Sequence, residues 1–564
     1  MRRQVRRRWT IAVIAITVVA IAGACGHRES ADLIIHGGPI LTVDSLDRVV
    51  EAVAIRDGRI ISVGSEAQVM GLRSTRTEVR DLKGQALLPG FVAAHEHPTI
   101  NAIFGGMADV SGQTHPTNAE VWTALRNEIA KTPKGAWVYA GGLDPILTAD
   151  LVVPTRTSLD SIAPDNPVLI ISKTMHSYWA NSKAFAAVGV TKNTPNPGPG
   201  AIYEHDANGE LTGFIAESRA ALPFLEALKS PLRVERRYEG VLDELLANGF
   251  TSVASLGFTI PPWLARFASY RGFRPRIRQF IYLGAEDLKY LPTRPDTSDP
   301  FFRIQGVKLW HDGSPYTGSM WISAPYRDSP LSRRLGIVPG STGAAIIPPD
   351  SLRAQLKHYE GLGWQVAVHS QGDASTAAVI AAWRDVPAAK TNGPRRIEHA
   401  ILLPDSMVPV MQRAGVSPSF HINHLRYYGD ALNDAIVGPE RTQQLLPVGS
   451  AFAAGLKPTL HADSPMFPVD AFSLMQTAVL RRSSGGRAIN PSQALSVRQA
   501  LRAVTINAAY QLGADAEIGS IEIGKWADLQ VVSASPYGVT PESLTELRVI
   551  DVYLAGRQQP TRRQ

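Results

Sequence analysis

The chain has 564 residues, more than one hydrophobic core can hold, so at least two domains are expected. Hydrophobic residues make up 44% and charged residues 19% of the sequence, a balance typical of globular proteins that excludes a disordered or fibrous chain. The formal net charge is +7, but five of the arginines behind it precede residue 9. The rest of the chain carries little net charge, so its composition gives no reason to expect a nucleic-acid partner.

Residues 1–25 have the features of an export signal. Five arginines are followed by an apolar run that ends at Ile21, which is short for a membrane span, and then by small residues and Cys25. Cys25 resembles the acylated cysteine of a bacterial lipoprotein, although Ala22 stands where leucine is more usual. We expect an exported protein, lipid-anchored on the outer side of the cell membrane. Plain secretion, a periplasmic location, a retained N-terminal anchor and a twin-arginine route are the alternatives.

Cys25 is also the only cysteine in the chain. Intrachain disulfides, thiolate zinc ligands and cysteine nucleophiles are therefore excluded. Any metal site must be built from histidine, lysine and carboxylate side chains.

Both ends of the chain are rich in strand-forming residues. Val and Ile dominate four segments: 32–36, 49–63, 527–532 and 549–554. Asp57-Gly58, between two apolar runs, predicts a β-hairpin. Because neither end is large enough for a core of its own, we expect residues 32–88 and 514–558 to pair into one small β-sandwich domain.

The central part of the chain alternates apolar strands with amphipathic helices. Eight strands are predicted, at Gly90–His97, Phe250–Leu256, Ile277–Leu283, Ile304–Trp310, Trp364–His369, Arg396–Ile401, Val416–His421 and Pro458–Asp463. Helical periodicity is clearest at Val234–Leu246, Leu352–Leu362 and Val497–Ala509. The pattern predicts an α/β fold, a (β/α)8 TIM barrel of residues 89–104 and 232–513, with catalytic groups at the C-terminal ends of the strands.

Residues 105–231 interrupt the barrel pattern after its first strand. They contain strand-like pieces at 136–140, 167–172 and 213–216, and a turn at 206–213. We expect an inserted subdomain over the barrel mouth.

Six polar residues lie in or at the ends of the predicted barrel strands. His95 and His97 are two residues apart, so their side chains leave the first strand on the same side, where neutral imidazoles suit a divalent metal ion. Alone, this pair also fits two surface histidines. The other four are Lys308, His369, His399 and Asp463. A buried polar side chain needs a partner, and six of them at one rim favour a shared metal site.

Six motifs occur between about Asp32 and Gly556. They are L-P-G-F-V-A-A-H-E-H at 88–97, V-K-L-W-H-D-G at 307–313, H-S-Q-G-D at 369–373, E-H-A at 398–400, H-A-D-S-P at 461–465 and G-S-I-E-I-G-K-W-A-D-L at 519–529. In these motifs the sequence resembles the amidohydrolase superfamily of metal-dependent hydrolases, and within it amidohydrolase family 3, the branch that contains N-substituted formamide deformylase. Ala94, Glu96 and His311 differ from the residues that are usual at these motif positions.

The resemblance implies two divalent metal ions held by six side chains: His95, His97, Lys308, His369, His399 and Asp463. The first two histidines hold one ion, the other two hold the second, and Lys308, carboxylated by carbon dioxide, bridges both. Two nearby metal ions repel a cationic lysine and so favour its neutral amine form. The neutral amine can react with carbon dioxide to give such a carbamate. Pairing of this lysine with Asp312 or Asp463 is the alternative. Zinc is the expected metal, with iron and manganese as alternatives.

The expected reaction is hydrolysis of a carbon–nitrogen bond other than a peptide bond, for instance in an N-formyl or N-acyl amine. A metal-bound hydroxide attacks the carbonyl carbon, and Asp463 acts first as base and then as acid, with His399 as the other catalytic candidate. An ester or lactone hydrolase or an isomerase with the same site is one alternative. A surface lipoprotein that binds a metal or solute without turnover is another.

Substrate contacts are expected from the insertion and from aromatic-rich segments after strands four and seven. The candidates are His176, Tyr316, Trp321 and His424. The alternative is that these aromatic residues only pack in the core. If they line the barrel mouth, the substrate is expected to carry a bulky apolar group. The expected partner is a small molecule and no nucleic acid, with membrane contact only through the N-terminal signal or lipid anchor.

Overall fold

The computed structural model describes residues 30–198, 200–228, 231–271 and 274–560. The predicted export signal and Cys25 lie outside the described residues, so export and lipid anchoring stay predictions. Among the residues described, we find no helix with the length and apolar character needed to cross a bilayer.

Eight parallel strands form the central sheet. In chain order they are Phe91–Glu96, Phe250–Phe258, Arg278–Gly284, Phe302–Trp310, Gln365–Ser370, Arg395–His399, Val416–Phe420 and Thr459–Leu460. Each strand pairs in parallel with the next, so their order in space follows their order in the chain. The first and last strands are linked at their C-terminal ends, where the His97 N–H donates to the Ser464 carbonyl (3.1 Å). The predicted TIM-barrel-like α/β fold is confirmed.

The barrel strands are apolar because both faces of the sheet are covered. Strand Phe250–Phe258, for example, is buried at all nine positions. Helices follow most of the strands, and the longer ones are Pro231–Ala247, Pro349–Gly361, Asp373–Arg384, Asn423–Ala431 and Ala471–Leu480. Shorter helices are Pro98–Phe104, Pro262–Ala268, Pro330–Arg334, Val408–Arg413, Pro439–Thr442 and Val448–Ala453.

One predicted helix is interrupted. In place of a single helix over Val497–Ala509 there are two, Val497–Ala503 and Ile506–Gln511. Thr505 between them has φ −133° and ψ −98°, and its hydroxyl donates to the Leu501 carbonyl (2.6 Å). A threonine side chain that bonds the backbone competes with helix continuation, which hydrophobic periodicity does not register.

Strands from both chain ends join one further eight-stranded sheet. They are Leu33–Leu41, Val49–Arg56, Arg59–Gly64, Glu78–Asp81, Ala86–Pro89, Leu529–Val532, Val549–Leu554 and Arg557–Gln558. Antiparallel pairing of Ala86–Pro89 with Leu529–Val532 joins the two ends. The predicted hairpin is confirmed, with Asp57 and Gly58 at φ 50° and 75° as a two-residue type I′ turn requires. A sandwich arrangement and the domain boundaries stay predictions.

The insertion has a six-stranded sheet of its own. Its strands are Ala108–Asp109, Val138–Leu143, Val168–Ser172, Ser177–Ala180, Ile202–His205 and Leu211–Ala216. Its helices are Asn118–Lys131, Arg156–Ile162, Ser182–Val188 and Ser218–Leu225. Three strands overlap the predicted pieces. The sequence does not predict the other three, Ala108–Asp109, Ser177–Ala180 and Ile202–His205, because two to four residues are too few for alternation to show.

A buried ion pair joins the barrel to the terminal sheet. Arg278 on the third barrel strand donates two hydrogen bonds to Asp528, and each side chain is 2% exposed. We expect Asp528→Ala to lower the free energy of unfolding by about 3–5 kcal/mol, because the guanidinium would stay buried without its counter-charge. The midpoint of urea unfolding measures this loss. Asp328→Ala, which removes the exposed Asp328–Arg333 pair, should leave the midpoint unchanged, and equal midpoints for the two variants would contradict the expectation.

Candidate metal centre

The six predicted ligands lie together at the C-terminal ends of the barrel strands. His95 and His97 are 0% and 6% exposed, which rules out the surface-histidine alternative. Lys308, His369 and His399 are buried as well. The Asp463 side chain is 13% exposed, so solvent can reach its carboxylate.

Asp463 lies at the middle of this cluster. Its Oδ1 is 3.1 Å from Nε2 of His95 and 3.0 Å from Nε2 of His97, and its Oδ2 is 3.9 Å from Nδ1 of His399. Yet neither His95 Nε2 nor Asp463 Oδ1 has a hydrogen-bond partner among the described residues. Ligand atoms on one tetrahedral zinc ion are about 3.3 Å apart. The spacing therefore fits atoms that share a cation.

A second set of imidazoles adjoins the first. The ring of His399 is 4.4 Å from that of His369 and 4.7 Å from that of His95, between centroids. His461, which was not predicted as a ligand, has its Nε2 3.3 Å from Nδ1 of His399 and stacks on His95 at 4.3 Å. The ligand atoms of His95, His399, His461 and Asp463 all lie within 4.8 Å of one another. These four can hold one ion.

The histidines of the second set are neutral. Burial lowers the pKa values of His369, His399 and His461 well below their usual range. A neutral imidazole has a free lone pair, which is the form that binds a metal ion.

Lys308 is fully buried on the fourth barrel strand, and its Nζ has no hydrogen-bond partner in the described part of the chain. The alternative in which it pairs with Asp312 or Asp463 is therefore not observed. Asp312 instead accepts three backbone N–H bonds of 2.9 to 3.1 Å. Burial lowers the pKa of Lys308 to about 8, against the opposing charges of Glu398 and Asp463. Such an amine can lose its proton and react.

Glu398 orients His95, a role that the sequence did not reveal. Its Oε2 accepts from His95 Nδ1–H (2.6 Å) and from Arg396 (3.0 Å), which leaves the Nε2 lone pair of His95 facing Asp463. Burial alone would raise the pKa of Glu398, but Arg396 and His95 lower it to about 2. The only sequence signal was its place beside His399 in E-H-A.

Glu96 orients the segment that carries Asp463. It accepts from the backbone N–H groups of Ala462 (3.2 Å) and Ser464 (2.6 Å), on either side of that aspartate. Asp463 has φ +59° and His399 has φ +75°, a left-handed backbone that non-glycine residues rarely adopt. Such strain is typical of functional sites.

The insertion reaches the centre through His176. Its Nδ1 lies 2.7 Å from Oε2 of Glu217, and its ring is 6.1 Å from that of His369. Oε1 of Glu217 accepts from the Ser319 hydroxyl (2.8 Å) on the loop after the fourth barrel strand. Glu217 thus ties the insertion to the barrel beside the metal centre.

Of the other substrate candidates, Tyr316 and His424 connect to the centre and Trp321 lies apart from it. Tyr316 bonds His424 Nδ1 (2.6 Å), and the ring of His424 is 4.1 Å from that of His421. His421, which belongs to the same aromatic-rich segment after strand seven, has its Nδ1 3.7 Å from Asp463 Oδ2. Trp321 is half-buried and packs on His311 at 5.8 Å, away from these contacts.

A TIM-like barrel with histidines, an unpartnered buried lysine and an aspartate at one rim defines a metal-dependent hydrolase. Residues 78–559 match the model of the amidohydrolase family, and the chain belongs to that family. It is a hydrolase of carbon–nitrogen bonds other than peptide bonds.

Known proteins are similar over nearly the whole length. N-substituted formamide deformylase of Arthrobacter pascens is 28% identical over 94% of this chain and 98% of its own. Protein LONG AFTER FAR-RED 3 of Arabidopsis thaliana is 27% identical over 94% of this chain and 91% of its own. The crystal structure of an uncharacterised metal-dependent hydrolase from Pyrococcus horikoshii superposes with a TM-score of 0.72 at 24% identity, over 90% of this chain and 99% of that one. The last likeness supports the fold.

Proposed function

We propose that the protein hydrolyses the amide bond of an N-formyl or N-acyl amine and releases a carboxylic acid and an amine. The observation that carries this proposal is the convergence of His95 Nε2, Lys308 Nζ and Asp463 Oδ1 at one rim of the barrel, where none of these atoms has a hydrogen-bond partner among the described residues. His97 adds its Nε2, 3.0 Å from the same aspartate oxygen. The similarity to N-substituted formamide deformylase supports an amide as the bond that is cleaved.

The donor set fits two divalent metal ions, zinc in this proposal, held by the six predicted residues together with His461. The ions would supply an activated water and polarise the substrate carbonyl. Lys308 would serve as a carbamate. Its two oxygens would carry the negative charge that favours metal binding, whereas a protonated lysine is a cation. Glu398 keeps His95 in the tautomer with Nε2 free.

Asp463 performs the proton transfers in this mechanism. Its carboxylate is central to the cluster and partly open to solvent, so it can take the proton of the attacking water. The same proton then goes to the nitrogen that departs as the amine. His176, held by Glu217, binds the substrate from the side of the insertion.

Glu217 is a positioning residue whose removal tests this role of the insertion. We expect Glu217→Gln to lower kcat/KM by about 10- to 100-fold, because the amide lacks the charge that orients His176. Metal content should stay at the wild-type level, since Glu217 contacts no proposed ligand directly. Steady-state kinetics with metal analysis measures both. Loss of metal together with activity, or wild-type kinetics, would contradict this assignment.

The decisive experiment is a substrate screen. N-substituted formamides, N-acyl amines and their matched esters are incubated with wild-type enzyme, with metal-depleted enzyme and with metal-restored enzyme, and the released amine or alcohol is measured. Metal-dependent release of amine supports the proposal. Hydrolysis of the esters alone would favour the ester-hydrolase alternative, and metal binding without turnover would favour a binding lipoprotein.

A further inference from the structure

Trp310 ends the fourth barrel strand beside the metal centre and is not among the predicted ligands or substrate contacts. It follows Lys308 by two positions on the strand Phe302–Trp310, so both side chains leave the strand on the same side. The Lys308 Nζ is 5.7 Å from the centre of the Trp310 ring. Lys308 is fully buried, whereas Trp310 is partly exposed. The indole is therefore next to the lysine and nearer the barrel mouth.

Two glycines show which way the Trp310 ring extends. A Cβ atom at Gly284, on the third barrel strand, would be 3.0 Å from Cη2 of Trp310, and one at Gly257, on the second strand, would be 2.9 Å from the same atom. Both distances are below about 3.5 Å, the near limit of good contact between carbon atoms. The Cβ at Gly257 would also be 3.9 Å from Cε1 of His97. The indole therefore extends across strands three and two toward His97.

The barrel places this ring across the metal centre from His421. The strands follow one another around the barrel in chain order. The third strand is therefore opposite the seventh, Val416–Phe420. His421 follows the seventh strand directly, and its Nδ1 is 3.7 Å from Oδ2 of Asp463. Trp310 and His421 thus bound the centre from opposite sides.

The two oxygens of Asp463 indicate which part of an amide faces each side. Oδ1 is 3.1 Å and 3.0 Å from the Nε2 atoms of His95 and His97, so it belongs to the ligand set. Oδ2 is the oxygen left to carry the proton in the proposed reaction, and it faces His421. The nitrogen that receives this proton must come within about 3 Å of Oδ2. The amine side of the substrate then lies toward His421, and the acyl side points across the centre toward Trp310.

We propose that Trp310 determines acyl specificity: its indole fills the acyl side of the site, so that a formyl group fits and longer acyl groups are rejected. The inference rests on the proposed function and narrows its substrate class to N-substituted formamides. Gly257 and Gly284 lie directly behind the ring. The ring has no space there into which it could retreat from a longer acyl group, because two strands are packed against it.

The test compares three amides of benzylamine: the formamide, the acetamide and the butanamide. Release of benzylamine gives kcat/KM for each amide with the metal-loaded wild type and with Trp310→Ala. Ratios between amides are compared across the two enzymes, because this comparison cancels the intrinsic reactivity of each amide. We expect Trp310→Ala to raise the acetamide-to-formamide ratio by about tenfold or more, and the butanamide-to-formamide ratio by more still. Trp310→Phe should raise both ratios less.

Hydroxamates provide a measurement that does not depend on turnover. Formohydroxamate, acetohydroxamate and butanohydroxamate chelate metal ions through the same two oxygens and differ only in the acyl group. Calorimetry with the metal-loaded wild type should show the tightest binding for formohydroxamate, and Trp310→Ala should remove or reverse this order. Trp263→Ala is the matched control, because its indole is 72% exposed on the helix Pro262–Ala268. It should keep the wild-type ratios and the wild-type order of binding.

A second pair of substrates tests the side that is assigned to Trp310. N-Methylformamide and N-benzylformamide differ only in the amine, so their kcat/KM ratio should be the same in the wild type and in Trp310→Ala. Unchanged acyl ratios, or an equally large change in the amine pair, would overturn the inference and leave the proposed function standing. If metal analysis and the urea midpoint show that Trp310→Ala is not folded, the same comparisons with Trp310→Phe decide. No metal-dependent hydrolysis of any amide by the wild type would reject the proposed function and the inference together.

Discussion

Asp463→Asn is expected to reduce kcat/KM by about a thousandfold or more. The asparagine amide is nearly the same size but cannot accept the proton of the attacking water or return it to the leaving nitrogen. Among the described residues the neighbouring carboxylates are already engaged: Glu398 accepts from His95, and Glu96 and Asp312 accept from backbone N–H groups. None of them is free to replace Asp463. The variant should therefore fold and bind substrate without turning it over.

Steady-state hydrolysis of the best amide from the screen, with metal analysis of the same sample, measures this effect. Asp350→Asn is the matched control, because Asp350 is an exposed aspartate whose side chain pairs with Arg353, far from the metal centre in the described fold. The control should retain wild-type kinetics. If Asp463→Asn kept more than about a tenth of the activity, the proton transfers would have to be assigned elsewhere.

The barrel was predictable because its signals are repeated and local. Each strand is a short apolar run that ends in turn residues, and eight such runs alternating with helices leave few other topologies. The last strand shows the limit of this reasoning. Pro458–Asp463 was predicted, but only Thr459–Leu460 pairs as a strand, because the following residues turn inward to form the metal centre.

The residues that the sequence missed lack a pattern that distinguishes them. His461 and Asp463 leave the eighth strand together, and only the fold shows that the imidazole of His461 turns toward His399. Glu398 has no feature in the sequence that distinguishes it from other strand residues. Its partner His95 is 303 positions away in the sequence. Periodicity reports which face of a strand is buried, and it does not report which distant side chain lies opposite.

Lys308→Met should abolish the binding of at least one metal ion and lower kcat/KM by about a thousandfold or more, since the proposed carbamate ligand would be lost. Methionine fits the space of this fully buried side chain, so the fold should persist. The direct measurement is the carbon-13 NMR signal of a carbamate after incubation with labelled bicarbonate. The wild type should show it and Lys308→Met should not.

Two further variants separate the carbamate from a merely structural lysine. Lys308→Glu places a carboxylate near the position of the carbamate and should retain more metal than Lys308→Met, whereas a packing role would make glutamate the more damaging change at a buried site. Lys457→Met removes a lysine that lies over the Tyr510 ring, outside the centre, and should leave metal content and the carbamate signal as in the wild type. A wild-type enzyme with full metal content and no carbamate signal would contradict the assignment, because the uncharged amine of Lys308 would then have to bind metal alone.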